Sequence, residues 1–112
     1  LAHVGDQLAY MKKACDGKGI KFIVFLVPLK EQIYCREAIN RFEGYDIERP
    51  NEAVGEILNA NGVRYVDLLP GMSEYARSTR ERLYFDIDPH WSAAGHRAAA
   101  EIIYTQLTGE EK

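Results

Sequence analysis

The chain has 112 residues, 46% hydrophobic and 28% charged, with a formal net charge of −3. That is room for one small globular domain, and the composition excludes a disordered, collagenous or coiled-coil chain. The negative charge argues against a nucleic-acid partner, no run approaches the roughly 18 apolar residues that span a bilayer, and two cysteines make neither a disulfide framework nor a zinc site.

The first residue is Leu1, with a helical pattern already under way and no signal peptide. The sequence therefore reads as a piece of a longer protein whose compartment it does not reveal. Val4, Leu8, Met11 and Cys15 recur at i, i+4, i+7 and i+11, one apolar stripe on a helix. Gly17-Lys18-Gly19 stops it. Residues 20–27 (IKFIVFLV) are apolar at nearly every position and rich in β-branched and aromatic types. That pattern predicts a strand buried on both faces, in a parallel sheet between helices. Pro28 ends it, having no N–H to give the ladder. Glu31, Gln32, Ile33 and Tyr34 begin a short helix, and residues 41–49, with Gly44, read as a surface loop.

Pro50 suits the first residue of the next helix. Ala53, Val54, Ile57 and Leu58 form its apolar face, and Asn61-Gly62 caps it. Residues 63–66 are the second strand, with Asp67 at its C-terminal end. Pro70 opens a further helix to about residue 82, with Met72, Tyr75, Ala76 and Leu83 as its apolar positions. Leu83-Tyr84-Phe85 reads as a short extended segment and residues 86–91 as a loop. Ser92 is the N-cap of a last helix over residues 93–107, whose core face is expected to be Ala99, Ala100, Ile103 and Leu107. Alternating helices and strands predict an α/β fold with a parallel sheet. Two strands are few for so much amphipathic helix, so further strands are expected outside this chain or from another one. The edge and apolar face thus exposed predict self-association of the isolated chain.

Chemistry-bearing side chains concentrate in Asp86-Ile87-Asp88-Pro89-His90-Trp91. In an extended segment residues i and i+2 share one side, so Asp88 and His90 face each other. A carboxylate on the histidine Nδ1–H fixes the tautomer and leaves Nε2 as a general base. His90 also precedes the positive end of the last helix, which keeps a resting imidazole neutral. Two other readings of the same residues stand beside this one. The loop can simply cap a helix, or Asp86, Asp88, His90 and His96 can hold a metal, being ligands of the right kinds at a spacing that matches no familiar zinc motif. His3 reads as solvated and His96 as half-buried near a helix start. Asp67 ends a parallel strand, where α/β active sites gather, yet a turn or capping role suits it as well. Lys30 and Glu31 follow the first strand and read as an exposed ion pair at a cleft edge. Cys35 has no partner base, and Tyr34, Tyr45 and Tyr104 read as packing. Neither GxGxxG nor GxxxxGK[ST] occurs, so no nucleotide cofactor is expected.

The run Asp88-Pro89-His90-Trp91-Ser92-Ala93-Ala94-Gly95-His96, with residues 98–103 after it, resembles the C-terminal block of the SGNH, or GDSL-like, hydrolase superfamily. Residues 63–70 resemble its penultimate strand, and residues 23–34 resemble the strand and loop of bacterial members related to alginate O-acetyltransferases. The resemblance spans residues 20–107, and the last block is its specific part. It implies a three-layer α/β/α, flavodoxin-like fold and a Ser-His-Asp triad that hydrolyses or transfers acyl groups. It further implies an acyl ester or O-acetylated glycan as substrate, no cofactor, and a periplasmic or secreted setting. By the motif, Asp88 is the orienting acid and His90 the base. Many members space the pair as Asp-x-x-His, where this chain has Ile87; the Asp-x-His-Trp form is nearer the acetyltransferase-like branch, with Asp86 as the fallback acid. The Gly-Asp-Ser-like block and the oxyanion Gly and Asn blocks are absent. Ser73, Ser78 and Ser92 lack the strand-to-helix setting of a nucleophile. Residues 1–112 are therefore expected to be one partial domain, the C-terminal part of an SGNH hydrolase-like domain. It would carry the Asp-His part of the triad without the serine, and be inactive alone. The rival from another class is a non-catalytic α/β binding or assembly module, which predicts His90 buried or turned away from Asp88.

Overall fold

The computed structural model describes residues 2–109; Leu1, which the helical pattern includes, lies outside them. The elements in chain order are α1 (Ala2–Asp16), β1 (Val24–Leu26), α2 (Lys30–Tyr34), α3 (Arg36–Asn40), α4 (Arg49–Ala60), β2 (Tyr65–Asp67), α5 (Leu69–Ser78) and α6 (Ala93–Thr108). The chain divides into two compact units. One joins the segment ending at Leu26 to Glu48–Asp67, and the other joins Val27–Ile47 to the segment beginning at Leu68.

In the first unit β1 and β2 pair in parallel, with Val24 opposite Tyr65, Phe25 opposite Val66 and Leu26 opposite Asp67. Both strands have three residues and both are half-buried throughout. The expected eight-residue strand, buried on both faces, is thus a short one. The reason is its neighbourhood: among the described residues the sheet has two strands, so β1 has one partner and is itself an edge. Val63, expected inside β2, is buried just before it.

α4 packs on β2 and on α1. Its first turn contains Pro50, whose missing N–H costs nothing there. Leu58 is fully buried and Ala53, Val54 and Ile57 are half-buried, the face read from the sequence. Asn61 caps the helix, and Gly62 turns the chain at φ +66°, a conformation glycine adopts without strain. Helix α1 departs from expectation. Val4 and Met11 are 46% and 49% exposed, and the packed face runs instead through buried Gly5 and half-buried Leu8, Ala9 and Cys15. The close approach to α4 decides this. A Cβ on Gly5 would stand 2.5 Å from Ile57 Cγ2, so the helices meet where the side chain is missing.

In the second unit α5 packs against α2 and α6. Leu68, Leu69, Met72, Leu83, Tyr84, Ala98 and Ala99 are buried there. Buried Gln32 on α2 accepts from the Leu29 N–H and donates to the Ile47 carbonyl, each at 2.8 Å, so a polar side chain ties down the loop before α4. Helix α5 stops at Ser78, about a turn earlier than expected, because Thr79 is extended (φ −125°, ψ 152°). Leu83 therefore reaches the core from the following segment and not from the helix. On α6 the buried face is Gly95, Ala98 and Ala99. Ala100 and Leu107, expected inside, are exposed, Leu107 by 56%. Close packing again sets the face, since a Cβ on Gly71 of α5 would lie 2.8 Å from Ile102 Cδ1.

Candidate active site

The segment that leads from α5 to α6 folds into a loop pinned at its base. Tyr84 and Trp91 form an antiparallel bridge. The Phe85 N–H donates to the His90 carbonyl at 3.1 Å, and the Ser92 N–H donates to the Leu83 carbonyl at 2.9 Å. Ser92 is the N-cap, as its residue type indicates: Oγ accepts from the Gly95 N–H at 3.2 Å and donates to the Arg82 carbonyl at 2.5 Å. The segment before and within α2 adds further ties. The Tyr84 hydroxyl donates to the Pro28 carbonyl at 2.6 Å. The Leu83 N–H donates to the Tyr34 hydroxyl at 2.9 Å. Lys30 Nζ donates to the carbonyls of Phe85 and Asp86, each at 2.5 Å. Burial of the Tyr84 phenol pushes its pKa up, which keeps it a neutral donor.

Asp88 and His90 meet at the tip of this loop. Asp88 Oδ1 accepts from the His90 backbone N–H at 2.7 Å and stands 2.5 Å from His90 Nδ1. Residues 86–90 bend continuously and are not extended. The contact therefore does not come from strand alternation. It comes from an Asx turn, in which an aspartate oxygen captures the N–H two residues on. A carboxylate only accepts, so the Nδ1 position carries the proton and the lone pair lies on Nε2. The His90 side chain is 82% exposed, leaving Nε2 open to solvent. The Asp88 carboxyl is held below the ordinary carboxylate range, first by the His90 backbone N–H, then by the ring N–H, with the Lys30 charge adding to them. A carboxyl lowered in the folded chain contributes stability above its unfolded pKa and loses it as pH falls through the folded value. Asp88 is thus expected to titrate below 3.8 by carboxyl NMR, with the His90 amide shift following the same midpoint. A midpoint at or above that value would remove the turn from the account.

Asp86, the fallback acid, stands 3.5 Å from Arg82 Nε and not against His90. His96 is exposed, not half-buried, with its ring edge-to-face to Trp91 at 5.3 Å between centroids. Among the described residues no three His, Cys, Asp or Glu side chains gather to hold a metal ion. His3 is exposed. Asp67, in the first unit, accepts from Asn51 Nδ2 of α4 at 2.8 Å. Ser78 Oγ donates to the Tyr75 carbonyl at 3.2 Å, and the Ser73 hydroxyl is buried with no partner among the described residues. Cys35, Tyr34, Lys30, Glu31, Arg82, Ile87 and Pro89 line an open groove of about 360 Å³ beside the loop.

Lys30, expected at a cleft edge, lines that groove and also anchors the loop, and Tyr34, expected to pack, does so edge-to-face on Tyr84 while its hydroxyl anchors the loop. A signal existed: they lie at i and i+4 of a short helix, so they present one face. The family model of an SGNH hydrolase-like domain, that of acetyltransferase AlgX, matches residues 1–112. The chain belongs to this family. No curated protein and no solved structure matches it. The SGNH hydrolase-like domain here is a mixed helix-and-sheet structure with a small parallel sheet, from a family of acyl-transfer type. No described helix is long and apolar enough to cross a membrane.

Proposed function

We propose that Asp88 and His90 are the acid and base of a Ser-His-Asp triad in a serine esterase or O-acyltransferase acting on an acyl ester or O-acetylated glycan. The nucleophilic serine and the oxyanion donors belong to residues outside these 112, as do the strands that complete a three-layer α/β/α sheet. One observation carries the reading: the Asp88 carboxylate grips His90 Nδ1 while the ring stays exposed, on a loop anchored at its base. Family membership supports the acyl-transfer chemistry.

In this mechanism His90 Nε2 takes the proton of the serine hydroxyl as the serine oxygen attacks the acyl carbonyl carbon. The tetrahedral adduct collapses, and the imidazolium returns that proton to the departing alcohol oxygen. An acyl-enzyme remains. A water or sugar hydroxyl then gives its proton to Nε2 and attacks the ester, and the serine recovers its proton from the imidazolium. Asp88 supports the imidazolium throughout and keeps the tautomer. Hydrolysis and transfer differ only in which hydroxyl reaches the acyl-enzyme. These 112 residues alone, lacking the nucleophile, are inactive in this scheme.

Fluorophosphonate labelling of the full-length protein, with a His90→Ala control, tests the proposal. The expected result is one labelled serine outside residues 1–112 and no label in the control. A folded protein that takes no label would instead favour the non-catalytic binding or assembly module, with Asp88 and His90 reduced to loop architecture.

A further inference from the structure

The loop that carries Asp88 and His90 has little of its own to hold its tip. Its last backbone hydrogen bond is Phe85 N–H to His90 O. Beyond that point Ile87 is 99% exposed, so no packing fixes it. Pro89 has no N–H to donate. The Tyr84 and Tyr34 ties act on residues 83 and 84, at the base. From α2, two hydrogen bonds of one side chain reach further. The Lys30 ammonium lies 2.5 Å from both the Phe85 and the Asp86 carbonyl oxygens.

Consecutive carbonyls of an extended strand point to opposite sides, so two that converge on one cation impose a bend. An ammonium suits this task, having three donors and no acceptor. The bend begins two residues before Asp88 and aims the Asx turn. We propose that Lys30 is a positioning residue: by gathering the Phe85 and Asp86 carbonyls it sets where the Asp88–His90 pair stands. The consequence for rate rests on the acyl-transfer reading; the clamp itself does not. The charged groups around it fit this role. Arg82 is engaged with Asp86 and, at 4.6 Å, with the Tyr34 ring, and Lys30 adds its charge to those that keep Asp88 ionised.

The test is carboxyl and imidazole NMR of the full-length protein, wild type against Lys30→Met and Lys30→Arg. Lys30→Met should raise the Asp88 midpoint and broaden or shift the His90 Nδ1–H signal. Lys30→Arg, which keeps a charge and several donors, should retain both. If acyl transfer is present, kcat should fall by up to about 100-fold in Lys30→Met with KM unchanged, the scale of a misplaced reacting group. Wild-type protein gives a second measurement that needs no variant. Lys30 ammonium protons should exchange more slowly than those of the exposed Lys18. Titration curves identical in Lys30→Met and wild type, or a Lys30 ammonium that exchanges as fast as Lys18, would overturn the proposal. Altered NMR signals in a protein that takes no fluorophosphonate would leave the clamp standing and remove the acyl-transfer reading instead.

Discussion

Replacing His90 with alanine is expected to lower acyl transfer by the full-length protein about 10⁴-fold or more while leaving its stability nearly unchanged. The two halves of this expectation have separate causes. His90 is 82% exposed, so the substitution removes no packing, and surface changes of this kind cost within about 0.5 kcal/mol. In the proposed scheme the rate falls because one imidazole moves a proton in each of the two half-reactions. Asp88→Asn separates orientation from charge. An asparagine oxygen still captures the His90 N–H, so the Asx turn survives. What is lost is the charge that supports the imidazolium. Because the pair is exposed, water replaces part of that support, and a smaller loss of about 100-fold is expected. Turnover of an activated acetyl ester, followed beside thermal unfolding, checks both. A His90→Ala protein within tenfold of wild type would end the triad reading. An equal loss of rate and of stability would show that His90 serves the loop and not the chemistry.

The parts of this structure that were legible in the sequence are the parts decided locally. Ser92 caps α6 because its own side chain reaches the N–H three residues on. Pro50, Asn61 and Gly62 mark the ends of α4 through backbone geometry alone. Asp88 and His90 are two residues apart, so their contact was also legible, although an Asx turn makes it and not strand alternation. The helix faces were harder. A hydrophobic stripe ranks residues by side chain, yet α1 meets α4 through Gly5, and α5 meets α6 through Gly71. Where helices approach this closely, the absence of a side chain governs the contact. The loop anchors left the least trace. Lys30 and the Asp86 carbonyl are 56 positions apart, and no local period encodes a contact at that separation. The short, half-buried β1 has the same origin, since burial of a strand depends on neighbours that its own sequence does not contain.

Gly95→Ala is expected to be strongly destabilising, against the usual rule that alanine improves a helix by about 1 kcal/mol. Gly95 is buried in the first turn of α6. A Cβ there would overlap the Leu83 carbonyl oxygen and sit 3.0 Å from Trp91 Cβ. Neither obstacle is a flexible side-chain end. The Leu83 carbonyl accepts the Ser92 N–H at 2.9 Å, and the Leu83 residue is 1% exposed in the core. Trp91 is bridged to Tyr84. Relief must therefore come from moving the helix start, which pulls the Gly95 N–H from Ser92 Oγ. Overpacking costs about 1–3 kcal/mol and loss of the cap about 1 kcal/mol. Set against the gain in helix propensity, the net loss is about 2 kcal/mol, or a Tm lower by roughly 10 °C. Ala100→Gly is the control, because it lies on the same helix, is exposed, and should cost only about 1 kcal/mol through propensity. The same bracket holds the base of the loop, so Gly95→Ala should also weaken the Asp88–His90 hydrogen bond at temperatures where the fold persists. Thermal unfolding with His90 NMR reads both effects. A Gly95→Ala protein as stable as wild type, with its His90 signal intact, would mean that the Leu83 carbonyl yields freely and that this bracket does not hold the loop.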